Sequence, residues 1–258
     1  MSAKRHIRCL LFDLGSTLWT RQEEMTHQAK ETAYRRVGEM LRGARGGEIS
    51  AAQDTLEMGR QVHKALAQQL HKEKRQRPEY EPDFAQATVQ ALRLLGLKQA
   101  DLELGARIFE ALRVRIPTSR VLFPDTLSTL EMLRQRGYIL GVVTNRDHGG
   151  RPFHEDLQSM GLLVYFEYQH MAISADLGIR KPNPDIFKHA LERLNVAPEE
   201  TAMVGDNLKA DIAGAKKLNI LGIWKPKLEA RKEQHHTKQE HIVPDMTIEN
   251  LQDLLDVF

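Results

Sequence analysis

A chain of 258 residues, 41% hydrophobic and 28% charged, is long enough for one large domain or two smaller ones with a proper core. Its formal net charge of +2 is too balanced to argue for nucleic acid, and the apolar run after the basic Met1-Ser2-Ala3-Lys4-Arg5-His6 is far too short for a signal segment or a membrane span. One cysteine, Cys9, excludes an intrachain disulfide and suits a reducing setting, so the expectation is a soluble, cytoplasmic protein with neither nucleic acid nor membrane as partner.

The first strand is expected over residues 7–12. A run apolar on both faces reads as a buried parallel strand, and this one ends abruptly in Asp13. From about Thr20 to Thr118 the character changes to Ala, Leu, Gln, Glu, Lys and Arg, which are helix formers. Helices are predicted over 22–42, 50–75, 83–95 and 100–115, broken at Gly43, Gly46-Gly47, Pro78, Pro82 and Gly96, with Asp83 and Asp101 as N-terminal signals. The α/β pattern then resumes. A helix ends at Gly137, and a buried strand over 138–143 stops at Thr144-Asn145. A helix near 153–160 and a short strand near 164–168 follow. Pro182 disfavours helix at Lys181, which places the lysine in an extended loop. Asn183 is the expected N-cap and Pro184 the first residue of a helix reaching Leu194. Strands at 201–204 and 220–224 flank a helix to about Leu218. Residues 225–240 read as a polar loop, and a strand at 241–243 and a helix at 248–257 close the chain. Strands alternating with helices imply a parallel sheet with right-handed crossovers.

Asp13, Thr144 and Asp206 each stand at the end of a predicted strand. In a parallel sheet those ends share one edge, where open α/β sheets place their ligands. The loop of Lys181 reaches the same crevice, and Asp211, in the first turn of the next helix, points back to it. Adjacent carboxylates share a proton or hold a cation. Oxygen donors without clustered His or Cys favour Mg²⁺ over zinc. A carboxylate, a cation, a lysine and a hydroxyl suit attack on a phosphoryl group. The pairs His235-His236 and His241 match no metal spacing, the run His71–Arg77 reads as a solvated helix end, and Trp19 reads as packing.

Asp13-Leu-Gly-Ser-Thr-Leu, Val-Val-Thr144-Asn145, Arg180-Lys181-Pro182-Asn-Pro and Val-Gly205-Asp206-Asn207-Leu-Lys-Ala-Asp211 resemble, in order, the four motifs of the haloacid dehalogenase (HAD) superfamily. The resemblance implies a Rossmann-like core over 1–20 and 119–258 and an inserted all-helical cap, of the C1 type, over 21–118. It makes Asp13 the nucleophile that forms an aspartyl-phosphate. It assigns Mg²⁺ to the Asp13 carboxylate, the Gly15 carbonyl and Asp206, with Asp211 in support or ligating through water, and phosphate to Thr144 and Lys181. Ser16 and Asn145 are the candidate substrate contacts, with Arg146 and Arg151 beside them. The family's phosphatases carry a second aspartate two positions after the nucleophile as general acid/base, and here that position is Gly15. The function implied is a Mg²⁺-dependent phosphatase for a small phosphorylated metabolite. The alternatives are a dehalogenase, whose halide leaves without a proton, a phosphonate-cleaving relative, or a non-catalytic homologue that binds a phospholigand or a partner. Nothing in the sequence fixes the oligomeric state.

Overall fold

The computed structural model describes residues 5–44, 54–227 and 242–258. The chain divides into two compact units, one of Met1–Arg21 with Val121–Phe258 and one of Gln22–Arg120.

The first unit is built on β1 (Cys9–Phe12), which is buried along its whole length. Parallel partners flank it on both sides, with Cys9 opposite Ile139 of β4 (Ile139–Thr144) and opposite Thr201 of β6 (Thr201–Gly205). With β5 (Ala172–Ile173), β7 (Leu221–Trp224) and β8 (Met246–Thr247), the six strands run in the order β5-β4-β1-β6-β7-β8. All the pairings are parallel. Two short strands outside this sheet, β2 (Trp19–Arg21) and β3 (Arg120–Leu122), pair with each other where the chain departs into the second unit and returns. The helices of the first unit are α5 (Thr126–Gln135), α6 (Gly150–Ser159), the single turn α7 (Ser174–Leu177), α8 (Pro184–Leu194) and α9 (Gly214–Lys216). Ile186, Phe187, Ala190 and Leu191 of α8 pack with Cys9, Leu11, Val143 and Met203 of the sheet. Alternating strands and helices thus give the Rossmann-like parallel sheet that the sequence implies.

The second unit holds α1 (Glu23–Ala44), α2 (Thr55–Gln76), α3 (Phe84–Leu94) and α4 (Leu102–Ala111). Asp83 and Asp101 cap their helices, accepting from Gln86 N and Leu104 N at 2.9 and 2.8 Å. The apolar faces meet around Val37, Leu41, Val62, Val89, Leu92 and Ile108. The α1–α2 crossing is close. A Cβ on Gly38 would fall 2.0 Å from Thr55 O, and one on Gly59 would fall 2.0 Å from Tyr34 O.

Several predicted elements are corrected. The span 164–168 holds no strand: it runs from a 3₁₀ turn at Leu162–Val164, entered through Gly161 at φ 74°, to a second at Tyr168–His170, and the strand comes later, at β5. Residues 242–243 form no strand. Pro244 offers no N–H, and the ladder starts only after Asp245, whose N–H donates to Gly222 O at 2.9 Å. The closing helix is a 3₁₀ helix at Leu251–Asp256, in keeping with the buried Ile248, Leu251 and Leu254, spaced three apart. After Asn207 the backbone winds as a π-helix over Leu208–Ala213 before α9 begins. Lys181 lies in a turn rather than an extended loop, preceding a cis Lys181–Pro182 bond. His235, His236 and His241 lie outside the described residues, and no described helix is long and apolar enough to cross a membrane.

Candidate active site

The sheet register sets the site. Phe12 stands opposite Val142 and Val204, so Asp13 follows at the level where β4 and β6 also run out. Asp13 N donates to Val204 O at 2.9 Å, which ties the residue to the end of β6. The Asp13 carboxylate is almost wholly buried, and both of its described contacts fall on one oxygen. Lys181 Nζ donates to Oδ1 at 2.7 Å and Thr144 Oγ1 at 3.2 Å. Among the described residues, Oδ2 accepts no hydrogen bond.

Lys181 is the hub. The residue is 3% exposed, and its ammonium reaches Asp13 Oδ1, Asp211 Oδ1 at 2.6 Å and the carbonyl of Val143 at 2.6 Å. Burial opposes the charge, but the two carboxylates outweigh it and hold the lysine above its usual pKa. Its main chain is fixed by Asn145, whose Oδ1 accepts from Lys181 N at 2.8 Å and whose Nδ2 donates to Lys181 O at 3.0 Å. Both ends of that amide thus hold the Lys181 main chain.

The wide π-turn returns Asp211 to the sheet edge. Asn207 caps it, accepting from Lys209 N and Ala210 N. The fully buried Asp211 has both oxygens engaged, Oδ1 by Lys181 and Oδ2 by Asn207 N at 2.9 Å. Burial pushes its pKa up to about 7, with Asp13 adding to the rise and Lys181 opposing it. Asp206 is also raised, by burial first and then by Asp13. It pairs with the half-exposed Lys227 at 3.2 Å, and Trp224 Nε1 donates to its carbonyl at 2.9 Å.

Asp13, Asp206 and Asp211 each offer an oxygen within 4.8 Å of the others. Hard oxygen donors at this spacing, with Asp13 Oδ2 uncommitted, fit a cation such as Mg²⁺.

The loop from Asp13 to Trp19 is tightly wound. Ser16 adopts φ 60°, and its N–H donates to Trp19 O at 2.8 Å. Gly15 bridges to Trp19. Among the described residues beyond its chain neighbours, a Cβ on Gly15 would meet only the indole Nε1 of Trp19, at 4.0 Å. Trp19 is 1% exposed, and its N–H has no hydrogen-bond partner among the described residues.

Sequence reasoning missed Lys225 and Lys227. The first is buried, with Nζ 3.8 Å from the Phe123 ring centroid and 3.5 Å from Ser16 O. Both belong to a basic polar stretch in which no pattern sets them apart. Arg146 lies over the Phe153 ring and Arg151 pairs with Glu155.

The sequence profile of the haloacid dehalogenase-like hydrolases matches residues 7–219. The chain belongs to that family. A glyceraldehyde 3-phosphate phosphatase of Methanopyrus kandleri is 36% identical over 136 residues, 52% of this chain and 55% of that protein. A phosphoserine phosphatase of Thermus thermophilus is 36% identical over 103 residues, 40% of each chain. The chain thus spans about half the length of the curated relatives it matches, or less. Among solved structures, a HAD phosphatase of Thermococcus onnurineus aligns over 97% of both chains at TM-score 0.62 and 24% identity. A 2-haloacid dehalogenase of Pseudomonas syringae aligns over 97% of both at TM-score 0.64 and 24% identity. At that identity both likenesses speak for the fold alone.

Proposed function

We propose that this chain is a Mg²⁺-dependent phosphatase acting on a small phosphorylated metabolite through an aspartyl-phosphate at Asp13. The observation that carries the reading is the Lys181 ammonium, held on Asp13 Oδ1 at 2.7 Å inside a group of three carboxylates. A cation fixed beside a nucleophilic carboxylate neutralises incoming phosphate oxygens and loses little by reorganisation. The phosphatase names of the partial-length relatives support the same class.

As the phosphate arrives, the Thr144 hydroxyl and one N–H of Lys181 turn from Asp13 Oδ1 to the phosphate oxygens, and Oδ2 attacks phosphorus. Lys181 and the Thr144 hydroxyl hold phosphate oxygens, and Ser16 offers a further hydrogen bond. Asp13, Asp206 and the Gly15 carbonyl would hold Mg²⁺, which supplies charge neutralisation at the phosphoryl group. Asp211, with both oxygens engaged, acts in this reading by positioning Lys181 and the Asp206-Asn207 turn, and Asn145 by positioning the Lys181 main chain.

The dehalogenase reading draws on Gly15, since halide leaves without a proton. It gives the three-carboxylate group no task at a carbon–halogen bond and ranks second.

The test is hydrolysis of p-nitrophenyl phosphate and acetyl phosphate, with Mg²⁺ and with chelator, by wild type and Asp13→Asn. Metal-dependent turnover that vanishes in the variant is expected. Undiminished turnover in Asp13→Asn overturns the nucleophile assignment, and metal-independent halide release from a haloacid overturns the reaction class.

A further inference from the structure

We infer that the helical unit carries an anion-binding cleft of its own, between α1 and the segment that returns from α4, and that it takes a small molecule with a phosphate or carboxylate head and an apolar body. The cleft measures about 490 Å³, within the range of small-ligand sites. Met25, Ala29 and Arg36 line it from α1, at spacings of four and seven that share one helix face. Arg113, Val114, Arg115 and Pro117 form the opposite wall. Among the described residues, three arginines line the cleft and no acidic residue does. Arg113 also meets Glu110 at 3.3 Å, but that side chain lies outside the lining and is 58% exposed, where solvent leaves an ion pair little strength. Two other clefts show the contrast. One in the same unit sets Lys72 and Arg77 against Glu73, Glu81 and Asp83. One in the core unit sets Lys225 against Asp125 and Glu249. Their walls offset their own charges, whereas the arginine cleft has one sign and attracts an anion.

The return wall is fixed before any ligand arrives. Ile116 is buried, and the Thr118 and Ser119 hydroxyls each donate to Arg115 O at 2.9 Å. Thr26 Oγ1 donates to Ser119 O at 3.1 Å, which ties the wall to α1. The backbone that carries Arg113 and Arg115 is thus preorganised, and preorganisation lowers the cost of binding. A guanidinium presents five N–H donors in a planar fork, so it can keep a protein partner and still take an oxyanion. Its charge persists at every working pH, and the low-dielectric walls of a cleft focus the field. The body of the ligand rests on Met25, Val114 and Pro117. Methionine suits such a floor, since its unbranched side chain adapts to the shape laid on it.

The experiment titrates the full chain with phenylphosphonate in chelator, where the three carboxylates grouped around Asp13 repel an anion. Calorimetry gives the affinity. The ¹³C-labelled ε-methyl resonance of Met25, assigned with Met25→Leu, gives the place. One saturable site that weakens with salt is expected, together with a shift of the Met25 resonance. Arg36→Gln and Arg115→Gln, both at exposed positions, should each weaken binding by about 10–100-fold. Arg35→Gln, exposed on the same helix but outside the lining, should leave it unchanged. Methylphosphonate, which has the charge without the apolar body, should bind about tenfold more weakly or worse. Failure of phenylphosphonate to saturate, a Met25 resonance that stays still, or an equal loss in Arg35→Gln overturns the site. Equal affinity for methylphosphonate overturns the class of ligand. None of these outcomes depends on turnover, so the cleft stands or falls apart from the phosphatase reading.

Discussion

Replacing Lys181 by Met measures how far the site's electrostatics hold the core unit together. The residue is 3% exposed, and its ammonium stands 2.7 Å from Asp13 and 2.6 Å from Asp211. Methionine keeps much of the volume and removes the charge, which leaves two buried carboxylates facing each other. Removing one partner of a buried ion pair costs about 3–5 kcal/mol. With a urea dependence of about 2 kcal/mol per molar, that loss moves the unfolding midpoint down by about 1.5–2.5 M. Both tryptophans, Trp19 and Trp224, lie in the first unit, so their fluorescence follows its unfolding separately from the helical unit. The measurement is made in chelator, so that no divalent cation replaces the lost charge. Adding Asp211→Asn to the variant removes one of the opposed carboxylates. The double variant should be more stable than the sum of the single losses predicts, by about 0.5–3 kcal/mol. A loss below about 1 kcal/mol for Lys181→Met, or strict additivity in the double variant, would refute the reasoning.

Gly59→Ala in the helical unit should destabilise by about 1–3 kcal/mol, because the added methyl meets backbone, although alanine is the better helix former by about 1 kcal/mol. Its Cβ would stand 2.0 Å from Tyr34 O, and a far-UV melt showing a more stable variant would contradict the close crossing. Burial raises the Cys9 thiol from 9.0 to about 12. Above pH 9 the unfolded chain gives up that proton and the folded chain keeps it, so stability falls as pH rises from 9 towards 12. Cys9→Ala should flatten that stretch of a stability-against-pH curve, and a curve of unchanged slope counts against the buried neutral thiol. In the native protein Cys9 should react with a thiol reagent only as fast as the core opens, and prompt labelling would contradict its burial.

The site was legible because its chemistry sits at strand ends. An apolar run that stops at a carboxylate marks the edge of a buried sheet, and Asp13, Thr144 and Asp206 came to one edge on periodicity alone. The capping aspartates Asp83 and Asp101 were equally plain, since each precedes a helical run with an oxygen ready for the first turn. Less visible was what each side chain does once there. Nothing local in the sequence shows that Asn145 grips the main chain of a residue 36 positions away. The same holds for Asp211, which closes its own turn on Asn207. The C-terminal elements misled for another reason. Apolar residues spaced three apart satisfy an α-helical reading almost as well as a 3₁₀ one. An Ile-Val pair reads as a strand until Pro244 and the side chain of Asp245 are seen to delay the ladder. Lys225 was lost among neighbours of like charge, since only its burial against Phe123 distinguishes it.

The position of β1 at the centre of the sheet has a consequence for the order of synthesis. Its apolar residues are made well before its neighbours, β4 and β6, which begin only at Ile139 and Thr201. At about 5–20 residues per second, the first of those partners arrives on the order of ten seconds later. The helical unit between them packs largely among its own residues and can settle during that interval. The central strand cannot, so Leu10-Leu11-Phe12 waits as an unpaired apolar segment until the sheet closes around it. In a crowded cell that wait is the period when this chain most needs shielding from its own copies.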